Sequence, residues 1–160
     1  MKFTTQSSEL TKALFRVQGI ADKKSTMPIL AHVLIEASNA GELRLSATDL
    51  EVGLMGTYNA EVEKPGSIAV HARHLYDILK ALPDSDVVFE VTDNNWIKIS
   101  SGKSDFKLVG MNGDDFPNLP LQSLRPWGMT WIIAGGSPFI QSIKTNHGPG
   151  ERLWVLVYTI

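Results

Sequence analysis

The residues best able to move protons fall in one short stretch, where His71 and His74 flank Arg73 and Asp77 follows three positions after His74. On a helix that spacing sets the carboxylate beside the imidazole, the arrangement in which an aspartate orients a histidine acting as general base. No nucleophile, phosphate-cradling glycine loop or metal-spaced ligand set accompanies the pair, so the sequence reads there as a solvated helix face. Asp114 and Asp115 could suggest a metal pair, but adjacent carboxylates in a proline-bounded loop read as surface charge. Asp49 and Glu51 project to one side of a strand, and Asp49 reads as a corner residue whose carboxylate bonds the backbone. No catalytic residue, metal or cofactor is assigned.

Basic residues form a second constellation. Lys12 and Arg16 lie on a first predicted helix, Lys23 and Lys24 follow it, and Arg73 and Lys80 lie on a second; all avoid the apolar positions. Scattered surface charge and a shared basic helical face are both open readings. Acidic residues concentrate in the strand and turn segments (among them Glu36, Glu42, Glu61, Glu63, Asp86 and Glu90), and this segregation favours the basic face. Such a face meets phosphates and carries nothing shaped to read base edges. The net charge of −2 argues against a protein that coats nucleic acid by bulk electrostatics.

The elements that position these groups follow from periodicity. Leu10, Ala13, Leu14 and Val17 make one apolar helix stripe, and Leu75, Ile78, Leu79 and Leu82 repeat it at a constant offset of 65 residues. Phe3 and Ile68, on short strands before the two helices, stand at the same offset. Ser7 is the expected N-cap of the first helix and Gly19 its stop. Strands are predicted over 29–36, 41–47, 51–58, 86–91, 96–100 and 105–109, with a hairpin turn at Ser38–Gly41 and a corner at Thr48–Asp49. Residues 1–110 thus read as strand–helix–three strands, twice. That pattern predicts an α+β fold of antiparallel sheet with both helices on one face.

Composition bounds the rest. The 160 residues, 43% apolar and 20% charged, suit a soluble globular protein, and the absence of cysteine excludes disulfides and thiol chemistry. No apolar run is long enough for a signal peptide or a membrane span, so the expected location is the cytoplasm, with no membrane partner. Gly113–Pro120 reads as an extended linker. Beyond it the composition shifts: residues 121–160 hold only three Lys/Arg and one Asp/Glu, but three of the four tryptophans.

Several short motifs occur together: Met1–Thr4, Met27–Leu30, Ala47–Glu51, Ala72–Arg73, Ser101–Ser104 and Asp115–Leu119. In this order they make residues 1–119 similar to the first domain of the bacterial DNA polymerase III beta subunit, the sliding clamp. The resemblance implies a DNA-clamp domain built as a duplicated β-α-β-β-β unit. In that family each chain has three such domains, and two chains close head to tail into a ring. Helices line the hole around duplex DNA, which is held without regard to sequence. The implied role is processivity in DNA replication, as a non-catalytic accessory of a polymerase that is also engaged by a clamp loader.

By position, the resemblance assigns Lys24 and Arg73 to the DNA side, with Lys12, Arg16, Lys23, His74 and Lys80 as further candidates. It assigns Lys103, Asp105, Phe106, Lys107 and Leu108 to a subunit-interface strand, where Asp105 departs from the family's more basic pattern. Residues 120–160 match neither later domain and read as a frameshifted or aberrant tail, without the pocket that binds polymerase and loader. The tail is expected to cover the open strand edge at Asp105–Val109, failing which the protein self-associates there. A stand-alone interaction module that binds a full-length clamp is the alternative function.

Overall fold

A computed structural model describes residues 1–21, 27–50, 52–117, 141–145 and 152–157. The first repeat comprises β1 (Lys2–Gln6), α1 (Ser7–Val17), β2 (His32–Ala37), β3 (Glu42–Thr48) and β4 (Val52–Asn59). After a short β5 (Glu61–Lys64), the second comprises β6 (Gly66–His71), α2 (Ala72–Ala81), β7 (Asp86–Val91), β8 (Trp96–Ser101) and β9 (Ser104–Asn112). Two further strands are β10 (Gln141–Thr145) and β11 (Arg152–Val157). All pair antiparallel in the order β10-β11-β4-β3-β2-β6-β9-β8-β7-β1-β5.

The repeats exchange their first strands. β1 pairs with β7 of the second repeat, and β6 pairs with β2 of the first. Phe3 therefore stacks on Phe89, with ring centroids 4.7 Å apart and planes within 5°. β9 binds the halves a second time: its first part pairs with β8 and its last three residues with β6. The strand runs to Asn112, beyond the predicted end at Val109, because Gly110 permits the crossing. A Cβ there would lie 2.8 Å from the Ala69 carbonyl oxygen.

One core results. The helices pack against each other, and Leu10, Ala13, Leu14, Val17, Leu75 and Leu79 share a single buried cluster with Phe3, Ile35, Leu45, Phe89, Ile97 and Ile99. Each large side chain buried there contributes about 1.5–3 kcal/mol. The amphipathic stripes thus place both helices on one side of the sheet, with their polar faces outward.

The corner at Thr48–Asp49 forms as its residues dictate. The Asp49 carboxylate accepts from the Val52 amide at 2.6 Å, the Thr48 hydroxyl accepts from the Leu50 amide at 3.0 Å, and Leu50 takes a φ of 77°. The hairpin turn ends on Gly41 at φ 75°.

Four expectations are corrected. Ser7 is the first helical residue, not the cap; its buried hydroxyl points to the Leu79 carbonyl on α2 (3.4 Å), and Gln6 occupies the cap position. The strand predicted from residue 29 begins at His32, because Pro28, fixed in φ, opens a 3-10 turn over Pro28–Ala31. The segment after Asn112 is no extended linker: Gly113–Asp115 is a 3-10 turn, and Phe116 is buried with Ile29, Leu30 and Ala69. Finally, β11 pairs with β4, on the side of the sheet away from Asp105–Val109. The tail covers a different edge from the one expected, since β4 offers six residues in register. Trp127 and Trp131 lie outside the described residues.

Candidate nucleic-acid interface

Because the apolar stripes of α1 and α2 face the sheet, the residues between them face out. Lys12 and Phe15 of α1 and Arg73, His74, Asp77 and Lys80 of α2 are exposed, while Arg16 and Tyr76 are half-buried. Phe15, 63% exposed, meets Tyr76 across the helix pair at 6.1 Å between centroids. The Lys80 Nζ stands 6.0 Å from the centre of the Tyr76 ring, at the outer limit of a cation–π contact. The aromatic pair spans the helices and brings basic groups of both onto one surface. Lys23 and Lys24 lie outside the described residues.

Several cations have carboxylate partners. On the sheet Lys2 pairs with Glu63 (2.7 Å), Arg44 with Glu36 (3.8 Å) and Lys98 with Asp105 (3.5 Å). On the helices, among the described residues, Arg73 pairs with Asp77 at 3.8 Å, while Lys12 and Lys80 form no ion pair. An exposed pair of that length is weak and screened by salt.

The imidazole–carboxylate pairing that the spacing suggested does not form. Asp77 turns to Arg73, and His74 instead stacks on His71, with centroids 4.1 Å apart and planes 19° apart. A third histidine joins them. His32 is the direct cross-strand partner of His71, and its ring meets that of His71 edge-on at 5.6 Å. Sequence reasoning missed His32, whose place depends on the pairing of β2 with β6; its one signal was an imidazole at the start of a strand. The His71 Nδ1 is buried without a hydrogen-bond partner. Burial, and then the neighbouring His74, His32 and Arg73, hold the His71 pKa below its ordinary value.

The other carboxylate candidates have local roles or none. The Asp49 side chain closes its corner. Asp114 and Asp115 are exposed on the 3-10 turn, where the Asn112 side chain accepts from the Asp114 amide. Among the described residues no cluster of three or more potential ligands could hold a metal ion. Glu51 lies outside the described residues.

On β9, Phe106 and Leu108 are half-buried opposite the buried Ile99 and Ile97, so they lean on the core. Lys103, Asp105 and Lys107 are exposed. Asp105 accepts from the Ser100 hydroxyl at 2.6 Å and lies near Lys98; the hydroxyl, followed by the lysine, lowers its pKa. Its charge is thus answered within the chain. The second edge of β9 over Ser104–Val109 has no strand partner among the described residues.

This architecture has known counterparts. A Vibrio cholerae beta sliding clamp is 39% identical over 120 residues, which cover 74% of this chain and 32% of that protein. The crystal structure of the DNA polymerase sliding clamp from Bacillus subtilis matches with a TM-score of 0.72 and 31% identity, over 75% of this chain and 33% of that one. That of the Pseudomonas aeruginosa DNA polymerase III subunit beta matches with a TM-score of 0.71 and 32% identity, covering 89% of this chain and 35% of the other. The chain thus spans about a third of the length of these relatives. Residues 1–120 match the family description "DNA polymerase III beta subunit, N-terminal domain". With the duplicated unit, the shared core and this match over three quarters of its length, the chain belongs to the DNA polymerase III beta subunit family.

Proposed function

We propose that this chain forms a segment of a sliding clamp that keeps a replicative polymerase on duplex DNA in the cytoplasm, with the outer face of α1 and α2 toward the phosphates. The observation that carries the reading is the shared outward face of the two helices, joined by the Phe15–Tyr76 contact and carrying exposed basic residues of both. Among the described residues Lys12 and Lys80 on this face form no ion pair, and Arg73 is held loosely by Asp77. Unmatched cations on a shared face attract a polyanion without selecting sequence. Arg16, His74, Lys23 and Lys24 are assigned to the same face. The work done is topological, since enclosure retains the DNA and weak contacts let it slide; no bond is made or broken by this chain.

The β9 segment Lys103–Leu108 is assigned to docking against another clamp chain head to tail, with polymerase and clamp loader as further partners of the assembled ring. The test is replacement of Lys24 and Arg73 by Glu, followed by duplex titration at low salt. Binding weakens about equally for all sequences, and the dependence of log K on log salt falls by roughly one per phosphate contact removed. Equal binding by the variant and the parent rejects the assignment.

A second reading, a one-sided module that docks on a full-length clamp, is favoured by one observation. β11 covers the β4 edge while the β9 edge stays unpaired among the described residues. Mass measurement in the presence of a full-length clamp decides it: a complex of one such chain with this one supports the module, and unchanged masses reject it.

A further inference from the structure

We propose that His32, His71 and His74, together with Arg73, form a proton-dependent anion site that takes a phosphodiester oxygen of duplex DNA, so that binding is coupled to proton uptake. The inference rests on the reading of the helix face as the DNA side and adds to it a site and its regulation.

Three imidazoles meet where β2, β6 and α2 converge. His71 and His74 stack at 4.1 Å, and His32 closes the third side at 5.6 Å. The His32 Nδ1 lies 2.9 Å from the Pro28 carbonyl oxygen. A carbonyl only accepts, so Nδ1 carries the hydrogen and Nε2 is left to take up a proton. Among the described residues, the groups that face His71 from the elements packed on it bring a cation or no charge. β2 brings His32, and α2 brings Arg73 and His74. The turn at Pro28–Ala31 brings only the Pro28 carbonyl, and β9 meets β6 nearest to His71 through Gly110. The carboxylates of Asp114 and Asp115 follow β9 on the turn that packs toward the Ser67 end of β6. The groups whose charges act on His71 are His74, His32 and Arg73, all of one sign.

Asp77, the carboxylate on α2 nearest to this cluster in sequence, is engaged by Arg73. Among the described residues no carboxylate is paired with an imidazole of the cluster. An anion from outside lowers the cost of a second proton there. Seated among the rings and the guanidinium, a phosphate oxygen accepts charge-assisted hydrogen bonds and raises the proton affinity of the imidazoles it touches. By linkage, affinity for the anion rises as pH falls through the histidine range. The cluster lacks three converging metal ligands, which leaves protonation as its chemistry.

The test is titration of the full chain with a short mixed-sequence duplex at low salt, at about pH 7.5 and about pH 5.8, with circular dichroism confirming the fold at both. Affinity is expected to rise by about three- to tenfold at the lower pH. The His71 ring-proton resonance should titrate at higher pH in the presence of the duplex. His71→Asn, and separately His71→Gln, should lose most of the rise, so that the ratio of the affinities at the two pH values falls toward one. The same affinity at both pH values in the parent chain, or a full rise in both variants, overturns the site and leaves the DNA-facing reading standing. No duplex binding at either pH overturns both.

Discussion

The two repeats are built on one plan, and they diverge where the plan leaves them free. Their inward positions correspond: Leu10, Leu14 and Phe3 on the first, and Leu75, Leu79 and Ile68 on the second, are all buried in the same core. Their outward positions do not. At the 65-residue offset Glu9 answers to His74 and Lys12 to Asp77, so the order of charge along the helix is reversed. An acid in the first turn suits the helix dipole, whereas a protonated histidine there opposes it. The first repeat ends on β4, which β11 covers, and the second on β9, whose outer edge stays unpaired among the described residues. Packing is thus duplicated while the outward chemistry is not.

The strongest way to break this comparison is through the core. Leu14→Ala and Leu79→Ala occupy equivalent, fully buried positions and should each destabilise by about 2–5 kcal/mol in denaturant unfolding. A large difference between them would show that the helices do not share one core equally. Next comes the strand crossing that only the second repeat has. Gly110→Val should cost about 1–3 kcal/mol, because its side chain meets the Ala69 carbonyl and Ile68. The same substitution made in a chain whose stability does not change would mean that β9 can shift without loss.

A smaller effect concerns pH. The His71 pKa is lowered in the folded state, so the unfolded chain binds more protons just below the ordinary value of 6.5. Stability should be full above that value, fall as pH drops through it, and level off below the folded-state pKa. His71→Asn should flatten this segment of a stability–pH curve, and a slope left intact would assign it to other groups. The smallest effect on unfolding is expected from ending the chain at Leu119. Both apolar helix stripes and β1–β9 lie before that point, so a cooperative thermal transition should persist. The uncovered β4 edge should then give concentration-dependent association in sedimentation. Loss of the transition would place the tail within the core.

Periodicity made the repeat legible. Two helix stripes at one spacing and the alternating strands around Leu43–Leu54 announce the elements, and Thr48–Asp49 announces the corner, because each depends on neighbours in sequence. What could not be read depends on pairing across the repeats. The exchange of β1 and β6, the meeting of His32 with His71, and the choice of β4 by β11 all follow from register between distant strands. The residues of the basic face were legible, but the pairing of Asp77 was not, since it could serve either Arg73 or His74 until the helix was built. Ser7 misled for a related reason: a cap and a first buried residue look alike until the second helix lies against it.

The exchanged first strands bear on how the chain is made. During synthesis Phe3 leaves the ribosome early, yet its stacking partner Phe89 emerges only after the whole first repeat and α2. Neither repeat can therefore close its own sheet while the other is still in the exit tunnel. Such long-range pairing slows folding and leaves strand edges exposed in the meantime. The nascent first repeat is an incomplete sheet waiting for β7, and an early pause in translation would prolong that wait.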